Sequence, residues 1–125
     1  MKLAMAQMSM TGSMDENLKK SLAFCDAAAG SDLLFFPEVQ LTPFFPQYAG
    51  RNVDAYAVPA GSPTVQAFAD KAKERGLYLS PNMPNSAKSA GAFFTPSIRN
   101  MLILPSERRL IASMNIIDWH RPYTE

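Results

Sequence analysis

The chain has 125 residues, of which 47% are hydrophobic and 18% charged, and its formal net charge is +1. This length and balance predict one globular domain, residues 1–125, with enough material for a core. A near-neutral chain without a basic cluster argues against nucleic-acid or membrane-surface binding. No apolar run reaches the roughly 18 residues that span a bilayer, and the amino terminus lacks a signal-peptide pattern. We therefore expect a soluble, cytoplasmic protein.

The cysteine and histidine content restricts metal and disulfide chemistry. Cys25 is the single cysteine, and His120 is the single histidine. An internal disulfide is excluded, and a Cys/His zinc site lacks its ligands. We expect no bound metal.

The first two elements are predicted to be a strand and a capped helix. Lys2–Met8 alternates as a strand does, and Ser13 with Glu16 forms a serine–x–x–glutamate capping box that begins a helix. A helix in this position is predicted to turn one apolar stripe towards the sheet. The stripe contains Leu18, Leu22, Cys25 and Ala29. Cys25 is accordingly interpreted as a buried structural thiol and not as a nucleophile.

The most informative stretch is the apolar run that ends in a glutamate. Leu33–Phe36 predicts a short strand buried on both faces, and Pro37 should end it because proline cannot donate to a sheet ladder. Glu38 then falls at the carboxyl end of a core strand, where open α/β sheets place their ligand chemistry. A carboxylate on a rigid backbone there suits a general base. The alternative is a solvated turn residue.

An aromatic segment follows Glu38. Val39–Tyr48 has neither a helical nor a strand period, and it contains Phe44 and Phe45 between two prolines. These rings are candidate substrate-binding residues if the segment lines a pocket beside Glu38. A loop pinned onto the core by its aromatics explains the pattern equally well.

The remaining elements complete an α/β order. A serine–proline start predicts a helix over Pro63–Arg75, followed by a strand at Leu77–Leu79. Met83–Ser97 is predicted to be a long loop or a poorly formed hairpin. Asn100–Leu104 and Arg109–Met114 are predicted to pair as a hairpin. The order indicates an α/β sheet with two helices on one face.

This ordered set resembles the nitrilase or carbon–nitrogen hydrolase superfamily. Leu41–Pro46 is similar to the segment that follows this glutamate in carbamoylase-like members. The likeness extends to about Ala112, over nearly the whole chain. It rests on Leu3–Gln7, Asn17-Leu18, Asp32–Glu38, the helix from Pro63 with Gly76–Leu79, and the hairpin Asn100–Ala112.

The resemblance implies a fold and a chemistry. The fold is an αββα sandwich, of which this chain would supply roughly the first half, and its subunits pair across their helices as a homodimer. The chemistry is hydrolysis of amide, N-carbamoyl or nitrile carbon–nitrogen bonds by a cysteine, a glutamate and a lysine. The resemblance gives Glu38 the role of general base, and it implies no metal and no cofactor. The implied partner is a small-molecule substrate.

The sequence departs from this family pattern at two catalytic positions. The lysine is expected a few residues after Ala112, yet Ser113–Asp118 contains none. The nucleophilic cysteine is expected tens of residues later, beyond Glu125, and Cys25 does not match its position. Of the three catalytic residues only Glu38 is present, so we expect this polypeptide to be inactive as given.

Three readings of the chain stay open at this point. The first is an amino-terminal, truncated piece of a carbon–nitrogen hydrolase of amidase or carbamoylase type. The second is a complete, non-catalytic binding or oligomerisation module derived from that fold. The third is an unrelated small α/β domain in which Phe36-Pro37-Glu38 is a coincidence.

Overall fold

The protein is described from a computed structural model, which covers residues 1–43, 54–59, 61–84, 98–100, 102–103, 105 and 109–110. Two α-helices lie in these ranges, α1 at Met14–Ala27 and α2 at Pro63–Arg75, with a 3-10 turn at Asp54–Tyr56. The strands are β1 Leu3–Met5, β2 Leu33–Phe35, β3 Tyr78–Ser80, β4 Asn82–Pro84, β5 Ile98–Asn100, β6 Leu102–Ile103 and β7 Arg109–Leu110.

The main sheet has the order β1-β2-β3-β6-β7 in the described ranges. Strands β1, β2 and β3 are parallel, with Leu3, Leu33 and Tyr78 in register, and β6 joins β3 antiparallel. Strands β6 and β7 pair antiparallel, and each lies within one of the two segments predicted to form a hairpin. Strands β4 and β5 pair antiparallel as a separate ladder at the two ends of the predicted loop. Because the parallel strands all end at one edge, Glu38 lies at that edge with the start of β4.

Both helices begin where their capping residues predict. The Ser13 side chain accepts a hydrogen bond from the Glu16 amide at 3.3 Å, and the Ser62 side chain accepts one from Val65 at 3.4 Å. Helix α2 ends at Gly76, whose φ of 64° suits a residue without a side chain. The reciprocal bond of the capping box is not formed, because the Glu16 carboxylate accepts from the Thr11 hydroxyl at 2.9 Å instead.

The predicted inward stripe of α1 is correct at Cys25 but about one residue off at its other positions. The fully buried positions are Asn17, Ser21 and Cys25, while Leu18 and Leu22 are only partly buried and Ala29 is exposed. Two polar residues occupy this face because their hydrogen bonds are satisfied inside the protein. The Ser21 hydroxyl, for example, donates to the Asn17 carbonyl at 2.8 Å.

The prediction that β2 is buried on both faces is also wrong. Leu34 is 1% exposed and packs beneath the helices, whereas Phe35 is 39% exposed on the opposite face. Strand residues alternate between the two faces, and the helices cover only one of them. We use the name open sheet face for the four exposed apolar side chains on the uncovered side. They are Leu3, Met5, Phe35 and Tyr78.

The covered face holds the core and joins the two helices. The Phe36 ring packs edge-to-face on Phe68 of α2, with ring centroids 5.7 Å apart. At the surface, the Asp26 carboxylate of α1 accepts hydrogen bonds from Lys71 at 2.7 Å and from the Arg75 Nε at 2.8 Å. These hydrogen bonds, with the larger effect from Lys71 and the smaller from Arg75, hold the pKa of Asp26 below its usual range. Helix α1 is therefore tied to α2 by ion pairs outside and by apolar packing inside.

Candidate functional site

Glu38 is the centre of the candidate site. It follows β2 and Pro37 directly, and its side chain is exposed at the carboxyl end of the parallel strands. This is the position that the sequence predicts for it.

The backbone after Glu38 takes an unusual conformation. Val39 has a φ of 49°, and among the described residues it alone is a non-glycine with positive φ. A β-branched residue in this region is a genuine outlier, because its side chain crowds the neighbouring backbone. Val39 is also fully buried. Surrounding contacts must therefore hold the turn in place.

Two buried amide side chains supply such contacts between the turn and β4. The Val39 amide donates to the Asn82 Oδ1 at 3.2 Å, and the Asn82 amide donates to the Gln40 Oε1 at 2.8 Å. Each segment thus binds a backbone group of the other through a side chain. We call this pair of hydrogen bonds the amide clamp.

The same turn is held from its other side by α1. The Asn17 Nδ2 donates to the Leu41 carbonyl at 3.0 Å and to the Thr11 carbonyl at 2.9 Å. The Thr42 amide closes the turn by donating to the Val39 carbonyl at 3.0 Å. Asn17 therefore joins the loop before α1 to the turn after Glu38.

Gln40 has one polar atom that the described residues leave unsatisfied. Its Oε1 accepts from Asn82, but its Nε2 is buried and has no hydrogen-bond partner in the described part of the chain. An unmet buried donor costs on the order of 1–3 kcal/mol. Because buried polar groups are nearly always hydrogen-bonded, this donor calls for a specific explanation.

Cys25 lies apart from Glu38, on the buried side of α1. Burial, with a smaller contribution from the adjacent Asp26 carboxylate, raises the pKa of the Cys25 thiol to about 12. The predicted burial of this thiol is confirmed. The Cys25 thiol is therefore protonated at neutral pH, and it has little capacity to act as a nucleophile because the thiolate is the reactive form.

We expect Cys25 in the folded protein to resist thiol reagents. Against the ordinary value of 9.0, a pKa of about 12 lowers the thiolate fraction at pH 7 roughly 1,000-fold, and burial slows access further. Labelling by a maleimide, followed by mass spectrometry, is the measurement, with the denatured chain as control. Labelling of folded and denatured chains at similar rates would show the prediction to be wrong.

Other predicted site residues lie outside the described part of the chain. Phe44 and Phe45 are among them, as is Ser113–Asp118, where the lysine was sought. Within the described ranges, no group of three or more histidine, cysteine, aspartate or glutamate side chains is placed to hold a metal ion. Neither helix in those ranges is long and apolar enough to cross a membrane.

Sequence reasoning missed the residues that hold Glu38 in place. Asn17, Gln40 and Asn82 are polar, and all three are buried. A weak signal existed for Asn17, which stands beside the predicted stripe of α1. Gln40 and Asn82 give no periodic signal, since Gln40 lies in a turn and Asn82 begins a strand of only three residues.

The family is decided by a match that spans most of the sequence. The family model described as carbon-nitrogen hydrolase matches residues 2–121. This chain belongs to the carbon–nitrogen hydrolase family. The resemblance noted from the ordered elements is thereby confirmed at the level of the superfamily, which includes the nitrilases. No curated protein matches the chain.

Two solved structures share the fold of this carbon–nitrogen hydrolase chain. One is a CN-hydrolase superfamily protein from Xanthomonas campestris with an arsenic adduct in its active site (TM-score 0.63, 19% identity, 87% of this chain and 38% of that chain). The other is an N-terminal amidase (TM-score 0.66, 16% identity, 87% of this chain and 26% of that chain). The expected nitrilase-like αββα fold is confirmed. The chain spans well under half the length of either structure.

Proposed function

We propose that this chain contributes the general base of a carbon–nitrogen hydrolase that acts on an amide, N-carbamoyl or nitrile substrate. The observation that carries the proposal is the placement of Glu38. It stands exposed at the carboxyl end of β2, on a strained turn that buried amides hold from two sides. A strained turn of this kind persists only where many surrounding contacts hold it, and such turns are common at active sites.

The proposed role of Glu38 is to move protons during acyl transfer. With an amide substrate, Glu38 takes the proton of a cysteine thiol as its sulfur attacks the carbonyl carbon. It then returns the proton to the departing amine as the carbon–nitrogen bond breaks, which leaves a thioester. Water attacks the thioester, and Glu38 accepts a proton from the water and passes it to the thiolate. A lysine stabilises the charge that develops on the substrate oxygen or nitrogen.

An amide is the substrate class with the most support. One structure of the same fold is called an N-terminal amidase, and Leu41–Pro46 resembles carbamoylase-like members. The thiol and the lysine of the mechanism have no equivalents within these 125 residues, because Cys25 is buried in α1 and residues 113–118 include no lysine. The proposal therefore assigns them to polypeptide outside this sequence.

A second candidate function is a non-catalytic binding or oligomerisation module. The open sheet face favours it, since Met5 is 82% exposed on an apolar surface that suits a protein partner. The two candidates differ in what they require of Glu38. A hydrolase loses turnover without its carboxylate, whereas a module retains its assembly.

The deciding experiment starts from the coding region. We expect the reading frame to continue past Glu125 and to encode a lysine and a cysteine in family context, and the full product to release ammonia from small amides. In that product, Glu38→Gln is expected to lower kcat by roughly 10⁴-fold or more. The matched control is Glu74→Gln, which alters an exposed glutamate of α2 and should leave kcat unchanged. A stop codon after Glu125, or an active Glu38→Gln variant, would contradict the proposal.

A further inference from the structure

We propose that Asn82 and Gln40 are positioning residues that act on Glu38 through the backbone of Val39. The inference rests on the proposed role of Glu38 and extends it to two residues that do not touch substrate. The amide clamp is its physical basis. Both side chains are buried, and both bonds cross from the end of β2 to the start of β4.

The geometry explains why these bonds bear on Glu38 in particular. The Val39 amide belongs to the peptide bond that joins Glu38 to Val39, so the contact with the Asn82 Oδ1 fixes the plane of that peptide. The Val39 φ of 49° is unfavourable for a β-branched residue and relaxes when the contact is removed. Because β2 before Glu38 and the buried turn after Val39 are both held in place, a change of φ at Val39 requires compensating changes in the φ and ψ of Glu38. These changes redirect the Cα–Cβ bond of Glu38. The carboxylate is exposed, so few side-chain contacts compensate.

Gln40 fixes the other half of the arrangement. Its Oε1 accepts a hydrogen bond from the Asn82 backbone amide at 2.8 Å. This bond sets the position of Asn82, whose side chain holds Val39. The Gln40 Nε2 remains unmet among the described residues, which is unfavourable for stability. A leucine or methionine of similar volume would fill the space without that cost. The amide at position 40 is thus explained by the Asn82 contact and not by packing.

The chemistry predicts which substitutions disturb the arrangement. Asn82→Ala removes the oxygen acceptor for the Val39 amide. Gln40→Met keeps the volume and loses the acceptor for Asn82. Ser21→Ala is the matched control, because it removes a buried hydrogen bond of α1 that does not reach the turn.

The test uses nuclear magnetic resonance on the 125-residue chain. In Asn82→Ala we expect amide exchange at Val39 to accelerate about 10-fold or more, with less than about twofold change at Phe68 in the core. The residual dipolar coupling of the Glu38 Cα–Hα bond should no longer agree with the value calculated from the alignment of the sheet. Gln40→Met is expected to resemble Asn82→Ala. Ser21→Ala should change neither readout at residues 38 and 39.

Two results would overturn the inference. Uniform acceleration at Val39 and Phe68 would show that Asn82 supports only global stability. Faster exchange at Val39 with an unchanged Glu38 coupling would show that the clamp holds the turn without orienting the glutamate. Neither readout requires substrate or turnover. Failure here is therefore distinct from failure of the proposed function, which appears as an unchanged kcat in Glu38→Gln.

Discussion

The 125-residue polypeptide, purified alone, is expected to hydrolyse no amide, N-carbamoyl compound or nitrile. Glu38 is the proposed general base, while the chain's one cysteine is buried on α1 with a pKa raised to about 12. Residues that act as a catalytic unit are strongly non-additive, and losing one member costs roughly 10⁴-fold or more in kcat. Losing two leaves no acyl-transfer step.

Ammonia release from a panel of small amides, carbamoyl compounds and nitriles is the measurement. The background comes from Glu38→Ala, which removes the carboxylate proposed as the general base. The wild-type polypeptide and this variant should be indistinguishable. Ammonia release above the Glu38→Ala background would show that another set of residues performs the chemistry.

We also propose that the polypeptide forms a symmetric dimer through the open sheet face. Four large apolar side chains are exposed there. Strands β1 and β2 are paired so that Leu3 lies opposite Leu33 and Met5 lies opposite Phe35. Exposed apolar patches of this kind favour association. An isologous contact between two copies is the commonest closed solution.

Sedimentation at micromolar concentration tests the dimer. The double variant Met5→Lys with Tyr78→Lys places two charges in the proposed interface, and it is expected to raise the dimer Kd at least about 100-fold. The control is Ala23→Lys, on the exposed side of α1, which should leave the dimer intact.

Three outcomes would contradict this assembly. A wild-type monomer with a cooperative thermal transition would show that the fold is self-sufficient. A dimer that survives the double variant would place the interface elsewhere. Dissociation by Ala23→Lys would indicate pairing across the helices, which is the arrangement that the family resemblance implies.

The helices were the part of the fold that sequence reasoning predicted best. Ser13, Ser62 and Gly76 specify helix ends through local hydrogen bonds and backbone preference, so a few neighbouring residues suffice to predict them. The position of Glu38 was predictable for a similar reason, since an apolar run followed by proline ends a strand. These signals do not depend on distant parts of the chain.

The faces of the elements were harder to predict. The stripe of α1 was misplaced because buried Asn17 and Ser21 appear polar in sequence, and their partners come from distant or irregular segments. The run Leu33–Phe36 predicted burial on both sides of the strand. Apolar residues, however, indicate only that a face tends to be covered, and not what covers it. A pattern within one chain does not say whether a partner or the chain itself covers it.

The conformation of Val39 has a consequence for the order of folding. Its hydrogen bond to Asn82 joins residues 43 apart in sequence, and the return bond from Asn82 to Gln40 joins residues 42 apart. Local preference opposes a left-handed valine, so this turn gains its full stability only when β4 has docked. Helices α1 and α2 carry their own caps and are free to form earlier. We infer that the segment bearing Glu38 is among the last to acquire its native conformation. During synthesis it reaches that conformation only after Asn82 has left the ribosome.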